Sequence, residues 1–323
     1  MNRHNLTMRL AGHIGQPLPK NIIDQFYEFF HYCIIARQKL YIDDNNYNLI
    51  VNMDETAVYL EMPEKKTIEL KGTKNVEINT FGHDKERISV LLAIAGNGNK
   101  LPPLLIYKGK KGKFLENKLQ KVKEVLDKKI LVACQENSWC DQDIFLKWYN
   151  EIYLKYEIFQ EKKKCLLILD YAPSHKSDYI LEEFKKNQTE YVFIPRGTTR
   201  YLQPLDIGIN KIFKQKLKEY YLNYQIENSL SLTDKKFKVD KEYFIKWISE
   251  IWWKEDIITA ETIQKSFKKS SITFKLDGSE DNSFEFPETN SEKEWVIDDK
   301  NDIKDLEKDS DSSDPSDSNS PGK

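Results

Sequence analysis

The 323-residue chain is predicted to fold as a mixed α/β domain with a helical C-terminal extension and a disordered acidic tail. Three observations predict it. Short apolar runs bounded by turn residues come first. Strand-like and helix-like patterns then alternate through the middle of the chain. From Ser279 the sequence becomes acidic, Ser-rich and poor in apolar residues.

In chain order, residues 1–20 hold a short basic piece and two prolines. Ile23, Phe26, Tyr27, Phe30 and Cys33–Ile34 then repeat at helical spacing within 21–40. Asp43–Asn46 is a loop signal. Tyr47–Met53 reads as a strand ending at Asp54. Ile88–Ala95 is a second strand, stopped by Gly96-Asn97-Gly98-Asn99, and Leu101–Tyr107 is its return strand. Ile130–Cys134, Cys165–Leu169 and Tyr191–Ile194 are further strands. Asp141 is placed to cap a helix with Phe145, Trp148, Tyr149, Ile152 and Tyr156 on one face. Ser177 or Asp178 opens another, with Ile180 and Phe184 at i, i+4. Ile209–Tyr224 is a long basic helix, Phe244–Trp252 an amphipathic one, and Thr259–Lys269 a short last one. Trp252 and Trp253 are expected in the core rather than as base-stacking platforms.

The net charge of −2 conceals an asymmetry. Residues 277–323 carry 16 acidic and 5 basic side chains, so the rest of the chain has a net charge of +9. A basic body with an acidic tail suits a polyanion, nucleic acid first, or an ordinary solvated surface. Cys33, Cys134, Cys140 and Cys165 form no Cys-x-x-Cys pair and are expected to be buried thiols of an intracellular protein. The N-terminal residues lack a signal-peptide pattern. The longest uncharged apolar stretch, Ile88–Asn99, falls short of the roughly 20 residues that span a bilayer, so no membrane association is expected.

Three aspartates stand out by position. Asp54 and Asp170 each follow an apolar strand, and Asp206 precedes a helix. Acids at the carboxyl edge of a sheet gather where sites commonly form. Carboxylates brought close together repel, and a divalent cation relieves that repulsion. Oxygen ligands suit Mg²⁺ or Mn²⁺, and two such ions about 4 Å apart stabilise both oxygens of a phosphoryl transfer. Singly, each Asp also fits an ordinary turn after a strand.

The residues around these acids carry a resemblance. Asn52-Met53-Asp54-Glu55-Thr56-Ala57-Val58-Tyr59 resembles the first-acid motif of the pogo/Tigger-type transposases of the DDE superfamily, relatives of centromere protein B. Arg87–Ile94, Gly98, Leu101-Pro102-Pro103 and Lys108-Gly109-Lys110 resemble the block that follows, and Trp139, Asp141, Phe145 and Trp148 its next helix. Leu167–His175 is similar to the second-acid motif. Pro195–Thr199, Leu202–Gly208 and Phe213-Lys214 resemble the third. Ile263, Ser266-Phe267 and 276–281 resemble the region after the catalytic domain, so the likeness covers about 47–281.

This resemblance implies an RNase H-like mixed sheet flanked by helices, with Asp54, Asp170 and Asp206 as catalytic and metal-binding residues and two Mg²⁺ or Mn²⁺ ions. Intervals of 115 and 35 residues separate them, the second within what mariner-type relatives tolerate. It implies a nuclear protein acting on DNA by cleavage and strand transfer, with a homodimer in view and no partner assigned to the acidic tail. Lys108, Lys110, Lys111, Lys113, Arg196 and Lys214 are the candidate DNA contacts. His175 either orients a phosphate or carboxylate or bonds to backbone at a helix start. The expected organisation is 1–45, a remnant of an N-terminal helix-turn-helix region plus linker helix; 46–225, the catalytic domain; 226–278, a helical extension; and 279–323, the tail.

Two features depart from the family. Tyr171 stands where Asn is usual. Arg3-His4-Asn5-Leu6 resembles only the end of the second DNA-recognition unit, so sequence-specific binding is expected to be mostly absent. The alternative reading is a catalytically inactive, domesticated or truncated DNA-binding chromatin protein.

Overall fold

The computed structural model describes residues 13–14, 21–62, 86–110, 118–119, 122, 130–161, 163–228, 239–286 and 296–297. Residues 21–285 form one compact unit, and the chain ends form another. In the latter, His13–Ile14 pairs antiparallel with Val296–Ile297. Residues 3–10, expected to be the end of a DNA-recognition unit, and the Ser-rich end of the tail lie outside the described residues.

The larger unit is built on a six-stranded sheet. Its strands are β1 (Ile50–Tyr59), β2 (Arg87–Ala95), β3 (Leu104–Lys108), β4 (Leu131–Gln135), β5 (Leu166–Asp170) and β6 (Glu190–Ile194). Their order across the sheet is β4-β3-β2-β1-β5-β6. β2 pairs antiparallel with both β1 and β3, whereas β5 joins β1 in parallel and β6 joins β5 in parallel. β2 and β5 are buried almost throughout, as strands covered on both faces must be. This is the mixed sheet with flanking helices that the resemblance implies.

The predicted turn at Gly96–Asn99 is present, and Gly98 takes a φ of +100° there. A Cβ on Gly98 would lie 2.6 Å from the Ala260 Cβ and 2.8 Å from its Cα, so both conformation and space require glycine. The return strand starts later than expected. Lys100 bridges Ile94, yet Leu104 pairs with Leu91, so one extra residue is accommodated on the return side. Pro102 and Pro103 fall in that interval and have no N–H to offer the ladder.

Helix α1 (Ile22–Lys39) buries Ile22, Phe26, Phe29, Cys33, Ala36 and Arg37 and packs on β6. α2 starts as Gln142–Trp148, capped by the Asp141 carboxylate accepting from the Ile144 N–H. It runs through a π turn at Tyr149–Tyr153 into Leu154–Phe159. α3 (Asp178–Lys186) is capped by Ser177. After β6 come the short α4 (Thr199–Leu202), a π turn at Leu205–Ile209, and α5 (Asn210–Glu227). α6 (Lys241–Trp253) and α7 (Ala260–Lys269, capped by Thr259) complete the unit. Trp252 is fully buried and donates its indole N–H to the Leu101 carbonyl at 2.7 Å, which makes it a core residue as expected; Trp253 is half-buried. All four cysteines are free and buried. Among the described residues no helix is long and apolar enough to cross a membrane.

Arg37 ties the ends of this unit together. Its guanidinium is buried, donates to the carbonyls of Ile272 and Phe274 at 3.1 and 2.6 Å, and lies 5.3 Å over the Tyr47 ring. The Tyr47 hydroxyl in turn donates to the Thr273 carbonyl at 2.8 Å. Truncation would leave two inward-facing carbonyls without a donor, at about 1–3 kcal/mol each. Arg37→Ala is therefore expected to lose about 2–4 kcal/mol in urea unfolding; a loss below about 1 kcal/mol would show that water replaces the guanidinium at no cost.

Candidate active site

The parallel pairing of β1 with β5 brings the first two aspartates together. Asn52 pairs with Ile168, the last pair of that ladder; Asp54 and Asp170 each lie two residues further on and within electrostatic reach of one another. Adjacent strands lie about 4.8 Å apart, so the two acids are neighbours at the end of β5. β5 ends with Asp170, one residue beyond the expected Leu169. β1 does not stop at Asp54: it continues to Tyr59, carried by its antiparallel ladder with β2 down to Tyr59↔Arg87. Asp54 is thus a buried mid-strand residue. Charged Asp54-Glu55 resembles a strand end locally, but partnership with β2 decides the length.

Two buried amides dock the third acid. Gln203 donates from Nε2 to the Met53 carbonyl at 3.1 Å and accepts on Oε1 from Asn52 Nδ2 at 2.8 Å. Asn52 Nδ2 also donates to the Ile168 carbonyl at 3.1 Å, and its Oδ1 accepts from the Leu205 N–H at 3.3 Å. Both side chains have no exposed surface. The Leu202-Gln203-Pro204-Leu205-Asp206 segment is therefore intelligible residue by residue. Leu202 and Leu205 enter the core, Gln203 clamps β1, and Pro204 opens the helical turn with a φ of −54°. Asp206 follows in a π turn, an irregularity frequent at functional sites.

Asn210, the first residue of α5, joins two of the acids. Its Nδ2 donates to Asp54 Oδ2 at 2.7 Å and to Asp206 Oδ1 at 2.9 Å. Asp170 has a different neighbour, His175 Nδ1, 2.6 Å from its Oδ1. His175 is buried in a 3₁₀ turn against the Phe145 ring, 4.8 Å between centroids. Of the roles open to it, the side chain is placed against a carboxylate. Beside this group, the Glu55 carboxylate receives the Cys140 N–H at 3.3 Å just ahead of the Asp141 cap. Arg87 lies 4.0 Å over the Trp139 ring.

The electrostatics are those of crowded acids. Burial pushes the Asp54 carboxyl well above the usual carboxylate range, and Asp206 and then Asp170 push it further, while the Asn210 amide opposes them. Asp206 is raised as well, by desolvation of its carboxyl first and by Asp170, although its residue surface is exposed; Asn210 and the Lys214 ammonium act the other way. Burial also raises Glu55.

The candidate DNA contacts divide by location. Lys214 is within electrostatic reach of Asp206. Arg196 is exposed and sits 5.2 Å over the ring of Tyr171, next to Asp170. Lys108, the exposed last residue of β3, lies level with Tyr59 two strands away, roughly 20 Å from Asp54 by strand geometry. Lys110 is exposed just beyond it, and Lys111 and Lys113 lie outside the described residues. Sequence reasoning had no role for Asn52, Gln203, Asn210 or Glu55. Asn210 alone left a local signal, four residues after Asp206 at the start of a predicted helix.

Comparison with known proteins agrees with this architecture. The family model described as DDE superfamily endonuclease matches residues 85–267. The human protein "Pogo transposable element with KRAB domain" is 26% identical over 286 residues, 87% of this chain and 44% of that protein. The human "Pogo transposable element with ZNF domain" is 23% identical over 280 residues, 86% of this chain and 18% of that protein. The chain thus spans less than half the length of these relatives. Among solved structures, the Mos1 mariner paired end complex with Mn superimposes with a TM-score of 0.50 at 11% identity, covering 88% of this chain and 69% of that one, a likeness of fold. The sheet order, its flanking helices and the matched family model lead to one assignment: the chain belongs to the DDE superfamily endonucleases, in their pogo/Tigger-type transposase branch.

Proposed function

We propose that this domain cleaves DNA phosphodiesters and transfers the freed strand, with Asp54, Asp170 and Asp206 holding divalent metal. The observation that carries the reading is the convergence of the three acids. Asp54 and Asp206 share the Asn210 amide, and Asp170 ends the adjoining strand within electrostatic reach of Asp54. Among the described residues no three His, Cys, Asp or Glu side chains form a ready-made metal cage. The donor chemistry nevertheless fits Mg²⁺ or Mn²⁺: hard carboxylate oxygens, and two carboxyls raised by crowding that a cation would relieve. The related Mos1 complex was solved with Mn.

Bound metal would supply charge stabilisation at the phosphorus undergoing displacement. The chain's own residues position the ligands. Asn52 and Gln203 hold the Asp206 turn against β1, His175 lies against the Asp170 carboxylate, and Asn210 aligns Asp54 with Asp206. In the first step a water oxygen bonds to phosphorus as the phosphorus–O3′ bond breaks. The leaving oxygen takes up a proton, giving a 3′-hydroxyl and a 5′-phosphate. In the second, that hydroxyl loses its proton and bonds to a target phosphorus as the target's own P–O3′ bond breaks. One phosphodiester replaces another, so positioning and electrostatics suffice without an energy donor.

DNA is accordingly the proposed partner, the nucleus the proposed location, and pairing of two copies the proposed arrangement for handling two ends. The test is nicking of labelled DNA in Mn²⁺ or Mg²⁺ by wild type, Asp170→Asn and Asp206→Asn. Metal-dependent nicking by wild type, reduced about 10³-fold or more in each variant, is expected. A well-folded wild type that binds DNA yet never nicks it, even fused to a helix-turn-helix front end, would leave the DNA-binding chromatin reading in place of catalysis.

A further inference from the structure

Tyr171 follows Asp170 at the end of β5 and occupies the position where the family usually has Asn. Its ring is 40% exposed, unusual for a large aromatic beside a cluster of buried groups. Two cations rest on it: Lys176 Nζ at 3.9 Å from the ring centroid and the Arg196 guanidinium at 5.2 Å. They come from different segments, Lys176 from the turn after β5 and Arg196 from the loop after β6. They are therefore no farther apart than about 9 Å, the two ring distances end to end. Like charges at that range repel, and the ring's electron-rich face offsets part of the repulsion. Among the described residues neither cation forms a hydrogen bond or ion pair. Their N–H donors remain available.

The ring is braced from behind. Phe193 meets it edge-on, 5.7 Å between centroids at 79°, and Tyr191 and then Phe184 continue the aromatic row at 5.2 and 5.0 Å. Long flexible cations lose affinity to rotamer entropy when they bind. A fixed aromatic ring that already gathers them reduces that loss. Positive charge held one residue from an acid cluster, without acidic partners of its own, has the chemistry to receive a phosphate.

We propose that Tyr171, Lys176 and Arg196 form a clamp for a DNA backbone phosphate adjacent to the bond being cut. Tyr171 acts as a positioning residue that presents the two cations. This rests on the DNA-cleavage reading of the same site and adds the feature that sets the strand's place along it. The contact is to backbone, so it is independent of base sequence. It also gives the Tyr171 departure from the family's usual Asn a physical role: an amide offers neutral hydrogen bonds, whereas the ring recruits two charges.

The experiment measures binding of a short labelled DNA duplex by fluorescence anisotropy across a salt series, in an Asp54→Asn background so that nothing is cut. Tyr171→Leu is expected to weaken binding about tenfold and Tyr171→Phe to restore it, since the ring and not the hydroxyl holds the cations. Lys176→Gln with Arg196→Gln is expected to lower the slope of log K against log salt by about 1, the share of one phosphate. Thermal stability of each variant is read alongside and is expected to be unchanged. DNA binding that is intact and insensitive to all these changes would overturn the clamp while leaving the cleavage reading standing. Absence of DNA binding in the otherwise unaltered background protein would overturn both.

Discussion

Asp54→Asn is expected to stabilise the metal-free protein and to abolish its stabilisation by Mn²⁺. Asp54 is buried and lies within the field of Asp206 and Asp170, so its carboxyl is raised well above the ordinary range. In the unfolded chain the same carboxyl loses its proton at about 3.9. From there up to the raised folded value, the native state binds more protons than the unfolded one. Stability therefore falls with rising pH across that window, and the full penalty is present above it. Asparagine keeps the shape and an acceptor for the Asn210 amide but has no charge to bury. The melting temperature of Asp54→Asn should thus exceed that of metal-free wild type at pH 7, with the gap closing as pH falls toward 4. Mn²⁺ should raise the wild type and leave the variant where it is, because mass action on a bound ligand requires the site. Equal Mn²⁺ shifts in both proteins, or a variant that melts below metal-free wild type at pH 7, would contradict the arrangement of acids described here.

The second large effect concerns the buried amide pair. Gln203→Leu is expected to lose about 3–5 kcal/mol in denaturant unfolding, because leucine conserves volume but leaves the Met53 carbonyl without its donor and takes one acceptor from Asn52. The functional loss should be larger than the stability loss. Gln203 and Asn52 link β1, which carries Asp54, to the segment that carries Asp206. A shift of about 1 Å in that turn is enough to cost about 10²-fold in rate. Nicking measured well below the melting transition should therefore be severely reduced in Gln203→Leu. Wild-type nicking in a folded Gln203→Leu protein would mean that the amide pair only fills space.

The sheet was largely legible in the sequence because its signals are local. Apolar runs stop at residues that favour turns, as at Gly96–Asn99, and helices open where a side chain can accept an N–H, as at Asp141, Ser177 and Thr259. Even so, the end of β1 was misplaced at Asp54, because the partner that sustains it to Tyr59 lies about thirty residues away in Arg87–Ala95. The missed Pro102–Pro103 irregularity has the same origin, since a bulge exists only relative to the opposite strand.

The sequence by itself determined the residue types available for chemistry: three acids at strand or helix boundaries, in words similar to one family. Tertiary structure decided how they meet. The parallel pairing of β1 with β5 brings Asp54 near Asp170, and the buried Asn52–Gln203 pair carries Asp206 to them across about 150 residues of chain. The two hydrogen bonds of Asn210 and the two cations on Tyr171 are likewise invisible along the chain. Propensity and capping act over a few residues and can be read in order. Register, shared donors and crowded charge arise between segments distant in sequence, so they exist only once the chain has folded.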